Sequence, residues 1–228
     1  MLPFDVISDK KFEEYNEEEL KSGAVFLVDK PLDWTSFQVV NKLRWIIRKT
    51  FKIKKIKVGH AGTLDPLATG LLIICVGKKT KEIDTYQGKE KEYTGTITVG
   101  GTTASFDLEE EIDQTFPTEH ITEEELQAAA LKLTGEIEQY PPVFSAVKID
   151  GKRAYEIARK GEDVKVKPRQ VSISKFDIDT SEFPKVHFTI ICSKGTYIRS
   201  MASDFGKLLD NGAHLSALRR ERIGEFSL

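Results

Sequence analysis

A chain of 228 residues, 39% hydrophobic and 31% charged, can bury a substantial core as one large domain or two small ones. No apolar run approaches the roughly 20 residues that span a bilayer, and the opening MLPFDVISDKKFEEYNEEEL has no cationic region followed by an apolar core. Neither a membrane protein nor an exported one is expected, and a cytoplasmic location is. The net charge of −2 conceals segregation along the chain: residues 1–20 hold seven acidic and two basic side chains, and 107–125 hold nine acidic and none basic, whereas 42–57 hold eight basic and none acidic and 148–169 eight basic against four acidic. Such runs are usually solvated faces, but two basic ones make a polyanionic partner plausible, because local patches rather than net charge steer association.

In chain order, AVFLVDKP at 24–31 reads as a short buried strand and a turn. WTSFQVVNKLRWIIRKT reads as a helix with apolar residues at 37, 40, 43 and 47, capped by Thr35 or Ser36. The glycine-rich loop GHAGTLDP leads into the strand LLIICV at 71–76, and YTGTITV at 93–99 is another. TEEELQAAALKLTG is the clearest helix, opening on a Thr122/Glu125 capping box and stopping at Gly135. VFSAVKIDGKRAYEIARKG suggests a strand, an Asp-Gly turn and a basic helix. VSISKFDID and KVHFTIICS are two further strands, and GTYIRSMASDFGKLLDNGA passes from a strand end into a helix. Runs of strands with inserted helices predict an α+β fold with a mixed, largely antiparallel sheet. Residues 1–20 are expected as an acidic extension and 21–228 as the main domain. Cys75 and Cys192 sit in apolar strand-like runs as buried thiols, with neither metal spacing nor a disulfide framework.

Chemistry concentrates in few places. Asp65 is a lone carboxylate among Gly59, His60, Gly62, Thr63, Thr69 and Gly70. Asp-Pro between glycines also reads as a plain turn feeding a strand, yet the same glycines allow close approach of a ligand. GHAGTLDP lacks the lysine and hydroxyl of a phosphate-binding loop, GKKT lacks its upstream glycine, and no serine or cysteine pairs with a histidine and an acid in triad spacing. Tyr93 heads a strand, and in CSKGTYIRS, Tyr197 and Arg199 are expected to alternate on one face of a strand. Each tyrosine could equally be a core aromatic with its hydroxyl at the rim. A partly buried Arg199 wants a carboxylate, for which Asp65 is the expected partner.

GHAGTLDPLATGLL, KEYTG, QYPPVFSAVKIDGKRAYEIARKG, CSKGTYIRS and GAHLSALRR, in this order, closely resemble the bacterial tRNA pseudouridine-55 synthase family, from about Val25 to the last residues. The resemblance implies the pseudouridine synthase fold and isomerisation of one T-loop uridine of tRNA, by a monomer, without cofactor or metal. It implies Asp65 as the catalytic aspartate and nucleophile, with Tyr197 and Arg199 flanking it. Tyr93 would stack on the flipped base, His60 would enter the RNA stack, and Leu218 would line the substrate. Residues 139–170 would form an RNA-clamping insertion.

The chemistry agrees: a carboxylate can attack the sugar or the base, or take a proton at C2′, and Tyr197 is a candidate weak base for the C5 proton. The target base lies inside a folded loop and must be extruded, and His60 or its neighbours could fill the gap. Two departures stand out. The sequence runs to Leu228, so the small C-terminal RNA-binding domain common in bacterial relatives is not expected, and GTTASFDLEEE keeps an aspartate, Asp107, but lacks the usual glycine, so Asp107 receives no catalytic role. The rival readings are an RNA-binding module that lost its chemistry, and a glycosidic hydrolase, which would ask for a second carboxylate near Asp65.

Overall fold

The computed structural model describes residues 3–145, 148–149, 152–153, 157 and 166–228. The chain divides into two compact units, residues 1–93 with 218–228, and residues 94–217. The first unit opens with β1 (Val6–Ile7), α1 (Glu17–Ser22), β2 (Ala24–Lys30), α2 (Ser36–Thr50), β3 (Val58–His60), β4 (Ala68–Val76), α3 (Ile83–Gln87) and the start of β5 (Lys91–Val99). The second takes the rest of β5, then β6 (Gly101–Thr103), β7 (Ile112–Thr115), α4 (Glu123–Lys132), β8 (Gly135–Gln139), β9 (Lys148–Ile149), β10 (Lys152–Arg153), β11 (Arg169–Glu182), β12 (Lys185–Cys192) and α5 (Ile198–Leu208). It ends in the first residues of β13 (Ala213–Ile223), whose remainder, with β14 (Phe226–Ser227), belongs to the first unit.

In the first unit β4 is the central strand. It pairs antiparallel with β2 and β3 and parallel with β13, bringing Leu218 opposite Ala68 and Arg220 opposite Gly70. LLIICV is apolar at every position because both of its faces are covered: Leu72, Ile74 and Val76 join one buried cluster, and Leu71, Ile73 and Cys75 join another. α2 covers the first cluster with Val39, Val40, Leu43 and Ile47, each worth roughly 1.5–3 kcal/mol of burial. Its cap is Thr35, whose hydroxyl accepts from the Gln38 amide while the Gln38 side chain accepts from the Thr35 N–H. Phe37, expected on the buried face, is 63% exposed. Residue 37 lies two positions before Val39, about 200° away around the helix, and the covered stripe is 36, 39, 40, 43 and 47. The N-terminal segment, read as an acidic extension, supplies Phe4, Phe12, Tyr15 and Leu20 to this core.

In the second unit β11 pairs antiparallel with β12 and β8, and β6 with β7. α4 begins on the expected Thr122/Glu125 capping box. It ends at Lys132, and Gly135, with φ +95°, is the first residue of β8 rather than the helix stop. β9 and β10 pair antiparallel, with Lys152 opposite Ile149 and Arg153 opposite Lys148. Most of the expected basic stretch at 148–169, including the basic helix, lies outside the described residues. The expected strand alternation of Tyr197 and Arg199 does not occur. Tyr197 is the N-cap of α5 and Arg199 its second residue, because β12 stops at Cys192 and the turn through Gly195, at φ +85°, reverses the chain into a helix whose buried face already includes Ile198, Met201, Ala202 and Phe205. Of the pairings described, all but β4 with β13 and the single bridge between Asp107 and Leu215 are antiparallel, as the mixed, largely antiparallel expectation requires.

Candidate active site

Asp65 sits in the loop between β3 and β4, half-buried, with Leu64 before it buried and Thr63 exposed. The loop's main chain is held carbonyl by carbonyl. Arg220 donates through Nη2 to Gly62 O (3.1 Å), through Nη1 to Thr63 O (3.5 Å) and through Nε to Leu71 O (2.7 Å). Ser36, the first residue of α2, donates its hydroxyl to Leu64 O (3.0 Å) and accepts from Leu64 N–H (2.8 Å). Asp65 O accepts from Ala68 N–H (3.1 Å). Pro66 O accepts from the Asp33 N–H (2.9 Å) and from Lys30 Nζ (3.2 Å), which also donates to Trp34 O (2.6 Å) and Pro31 O (2.8 Å). Each carbonyl from Gly62 to Pro66 therefore has a donor.

Two of those donors are buried cations, Lys30 at 0% and Arg220 at 1% exposure. A buried charge is costly unless its donors are satisfied, and here the carbonyl dipoles satisfy them. Burial drives the Lys30 pKa down from 10.5 to about 8, with Asp65 and then Asp33 opposing the shift and Arg220 reinforcing it. Gly70 makes the approach possible: at φ +98° it leaves no room for a Cβ, which would stand 2.3 Å from Arg220 O. His60, on β3, is half-buried, and its Nδ1 makes no hydrogen bond of ordinary geometry among the described residues. Burial, and then the charge of Arg220, press its pKa below the ordinary value of 6.5 against a smaller opposing pull from the Gly62 backbone, so the ring is neutral at pH 7. Tyr93 is buried on β5, and Leu218 is half-buried on β13, its carbonyl accepting from the Thr69 hydroxyl at 3.4 Å.

In the second unit, Gln139 at the end of β8 grips the main chain of Tyr197, donating to its carbonyl (3.1 Å) and accepting from its N–H (2.8 Å). The Arg169 guanidinium lies over the Tyr197 ring, 5.2 Å from its centroid. Arg199, 5% exposed, donates to Ser105 O and Phe144 O, each at 3.1 Å, and its Nε lies 3.5 Å from Asp107 Oδ2. Asp107 is itself held by the Ser105 hydroxyl (2.5 Å) and the Glu109 N–H (3.0 Å). Arg199 thus has an acidic neighbour in its own unit, a role for Asp107 that sequence reading did not assign. Among the described residues no three His, Cys, Asp or Glu side chains gather as metal ligands.

Residues 48–198 match the family described as "TruB family pseudouridylate synthase (N terminal domain)". The chain belongs to this family. It is 55% identical over 212 residues to the tRNA pseudouridine synthase B of Flavobacterium johnsoniae, covering 92% of this chain and 93% of that one. It is equally similar, over 208 residues, to the protein of the same name from Phocaeicola vulgatus, covering 91% of this chain and 88% of that one. Among solved structures it resembles a chain in the crystal structure of a Cbf5-Nop10-Gar1 complex, with a TM-score of 0.68 and 27% identity over 98% of this chain; this chain spans 59% of that one. The sequence singled out Asp65 through its glycines, but not Lys30, Ser36, Arg220 and Gln139 as the residues that hold the candidate groups' main chain. The available signals were a lysine closing an apolar strand before Pro31 and two arginines in SALRR.

Two measurements test this geometry. Arg220→Lys keeps a charge but loses the fork that spans three carbonyls, so the single-turnover rate at saturating RNA falls about tenfold or more while the dissociation constant stays within about threefold. An unaltered rate would show that the loop holds Asp65 without Arg220. For Lys30, NMR titration of labelled lysine side chains should give a midpoint of about 8, and a midpoint above 10 would contradict the burial described here. Below about pH 8 folded and unfolded chains both hold the proton and the burial cost weighs in full; between about 8 and 10.5 only the unfolded chain holds it, so the lysine's contribution to stability rises with pH.

Proposed function

We propose that this chain converts one uridine of tRNA to pseudouridine and that the uridine is position 55, in the T-loop. The reaction class rests on family membership and on the 55% identity with tRNA pseudouridine synthase B proteins. The observation that carries the assignment to Asp65 is its loop: a half-buried carboxylate on a backbone whose carbonyls are all occupied, next to a buried lysine, is built to present one charge in one place.

The reaction breaks the bond from N1 to C1′, turns the uracil, joins C5 to C1′ and moves the C5 proton away while N1 gains one. It is an isomerisation, so atoms and electrons balance without a cofactor. Asp65 supplies the carboxylate, as nucleophile on the sugar or the base or as the base at C2′. The target nucleotide is extruded from its loop, its uracil stacks on Tyr93 against Leu218, and neutral His60 enters the vacated stack. Tyr197 accepts the C5 proton, and Arg199 serves the same reaction through its charge. The basic residues at 42–57 hold phosphates.

Asp65→Asn removes the charge that performs the chemistry but few binding contacts. Release of tritium from C5-labelled uridine in T-arm RNA should fall below a hundredth of the wild-type single-turnover rate, with RNA affinity within about tenfold. A variant that kept more than that rate would show that another group does the chemistry.

A further inference from the structure

α2 turns a second face to solvent that the chemistry above does not use. Phe37, Asn41, Trp45 and Lys49 follow at intervals of four along it and so share one side of the helix, with Gln38 and Lys42 beside them. Phe37 is 63% and Trp45 54% exposed. Scattered apolar residues on a surface need no explanation, but two large aromatics about two turns apart on the same, otherwise polar side of a helix do. Between this face and the turn from β2 lies a groove of about 430 Å³, lined by Asp33, Trp34, Gln38, Asn41, Lys42 and Trp45. That volume suits a ligand-sized group.

The groove's polar groups select what fits it. Gln38 Oε1 is taken by the N–H and hydroxyl of Thr35, and Asn41 Oδ1 by Arg44, so both amides have their NH₂ ends left to donate. Lys42 and Lys49 hold their ammonium groups 5.2 Å and 4.9 Å from the Trp45 ring centroid. The acidic member of the lining, Asp33, is offset by the buried charge of Lys30. The surface therefore offers flat aromatic faces, amide donors and ammonium groups, on a stretch with eight basic and no acidic residues from 42 to 57. Its complement is a chain of flat, acceptor-rich rings joined by anionic groups, which is RNA with unpaired bases. An acidic peptide would satisfy the lysines and leave the stacked rings idle. Location agrees, because the Asp33 N–H that donates to Pro66 O ties the rim of the groove to the residue following Asp65.

We propose that the solvent face of α2 is a stacking platform for unpaired bases of the RNA substrate other than the reacting uridine. This rests on the chain acting on tRNA. The platform supplies affinity, not chemistry, so its loss appears in KM and in the dissociation constant rather than in kcat.

The test uses the full chain with Trp34→Phe, which leaves Trp45 as the only tryptophan. Titration with tRNA at one salt concentration should quench its emission saturably, at the same dissociation constant as an independent binding assay. Phe37→Ala with Trp45→Ala should raise that constant about tenfold or more without changing the slope of log affinity against log salt, because stacking releases no counterions. Lys42→Gln with Lys49→Gln should instead flatten the slope by up to about one unit per lost phosphate contact. Both rings are exposed, so melting temperatures should stay within a few degrees of wild type. If the wild type binds and modifies tRNA while Trp45 emission and the double variant's affinity are unmoved, the platform is refuted and the functional reading stands; a wild type that neither binds nor modifies tRNA refutes both. Quenching that follows protein concentration instead of RNA would assign the face to a second copy of this chain and overturn the proposal.

Discussion

Five consecutive backbone carbonyls, Gly62 to Pro66, are each bound by a donor drawn from four separate places in the first unit: β13, the start of α2, the end of β2 with its following turn, and the start of β4. A glycine-rich loop left alone would sample many conformations, since glycine loses more freedom on folding than any other residue. Here the entropy is offset by hydrogen bonds to two buried cations, which are stronger than neutral ones. The rest of the unit can be read as what that arrangement requires. β13 must run parallel beside β4 to deliver Arg220, Gly70 must lack a Cβ to let the strands meet, and α2 must begin where Ser36 can reach Leu64.

The second unit applies the same device once more. Tyr197 is gripped through its own N–H and carbonyl by a single buried amide, Gln139, so the start of α5 is held without using the tyrosine's hydroxyl. Arg199, the second residue of α5, donates to two carbonyls and has the buried Asp107 carboxylate beside it. In both units, residues named for chemistry are held by main-chain contacts from residues that composition would class as ordinary polar positions. Such support is what separates a site with the right residues from one with the right geometry.

The elements legible in the sequence were those whose pattern is local. β2, β4, β5, β11 and β12 show apolar runs or alternation, and α2 and α4 carry capping boxes. The loop that carries the candidate Asp65 was legible through its glycines. β13 was not, because its core-facing Arg220 looks like a surface charge until the carbonyls that satisfy it are in place, and those lie some 150 positions away in sequence. The start of α5 was misread because TYIR alternates polar and apolar over too few residues to separate a period of 2 from one of 3.6. Phe37 was misplaced because hydrophobicity alone assigns a phenylalanine to the core, while the helix phase is set by Ser36, Val39, Val40, Leu43 and Ile47.

The claim on which the account turns is that the Asp65 loop is already built in the free protein. Hydrogen exchange on the RNA-free chain tests it at single residues, through the Leu64 amide bonded to Ser36, the Ala68 amide bonded to Asp65 O and the Ala61 amide bonded to Ile73 O. The account predicts that these three exchange as slowly as the amides of Leu72 to Val76 in β4, so that the loop opens only when the unit unfolds. Exchange of Leu64 and Ala68 within seconds, alongside a protected β4, would contradict it and would mean that the loop takes its shape only when RNA arrives.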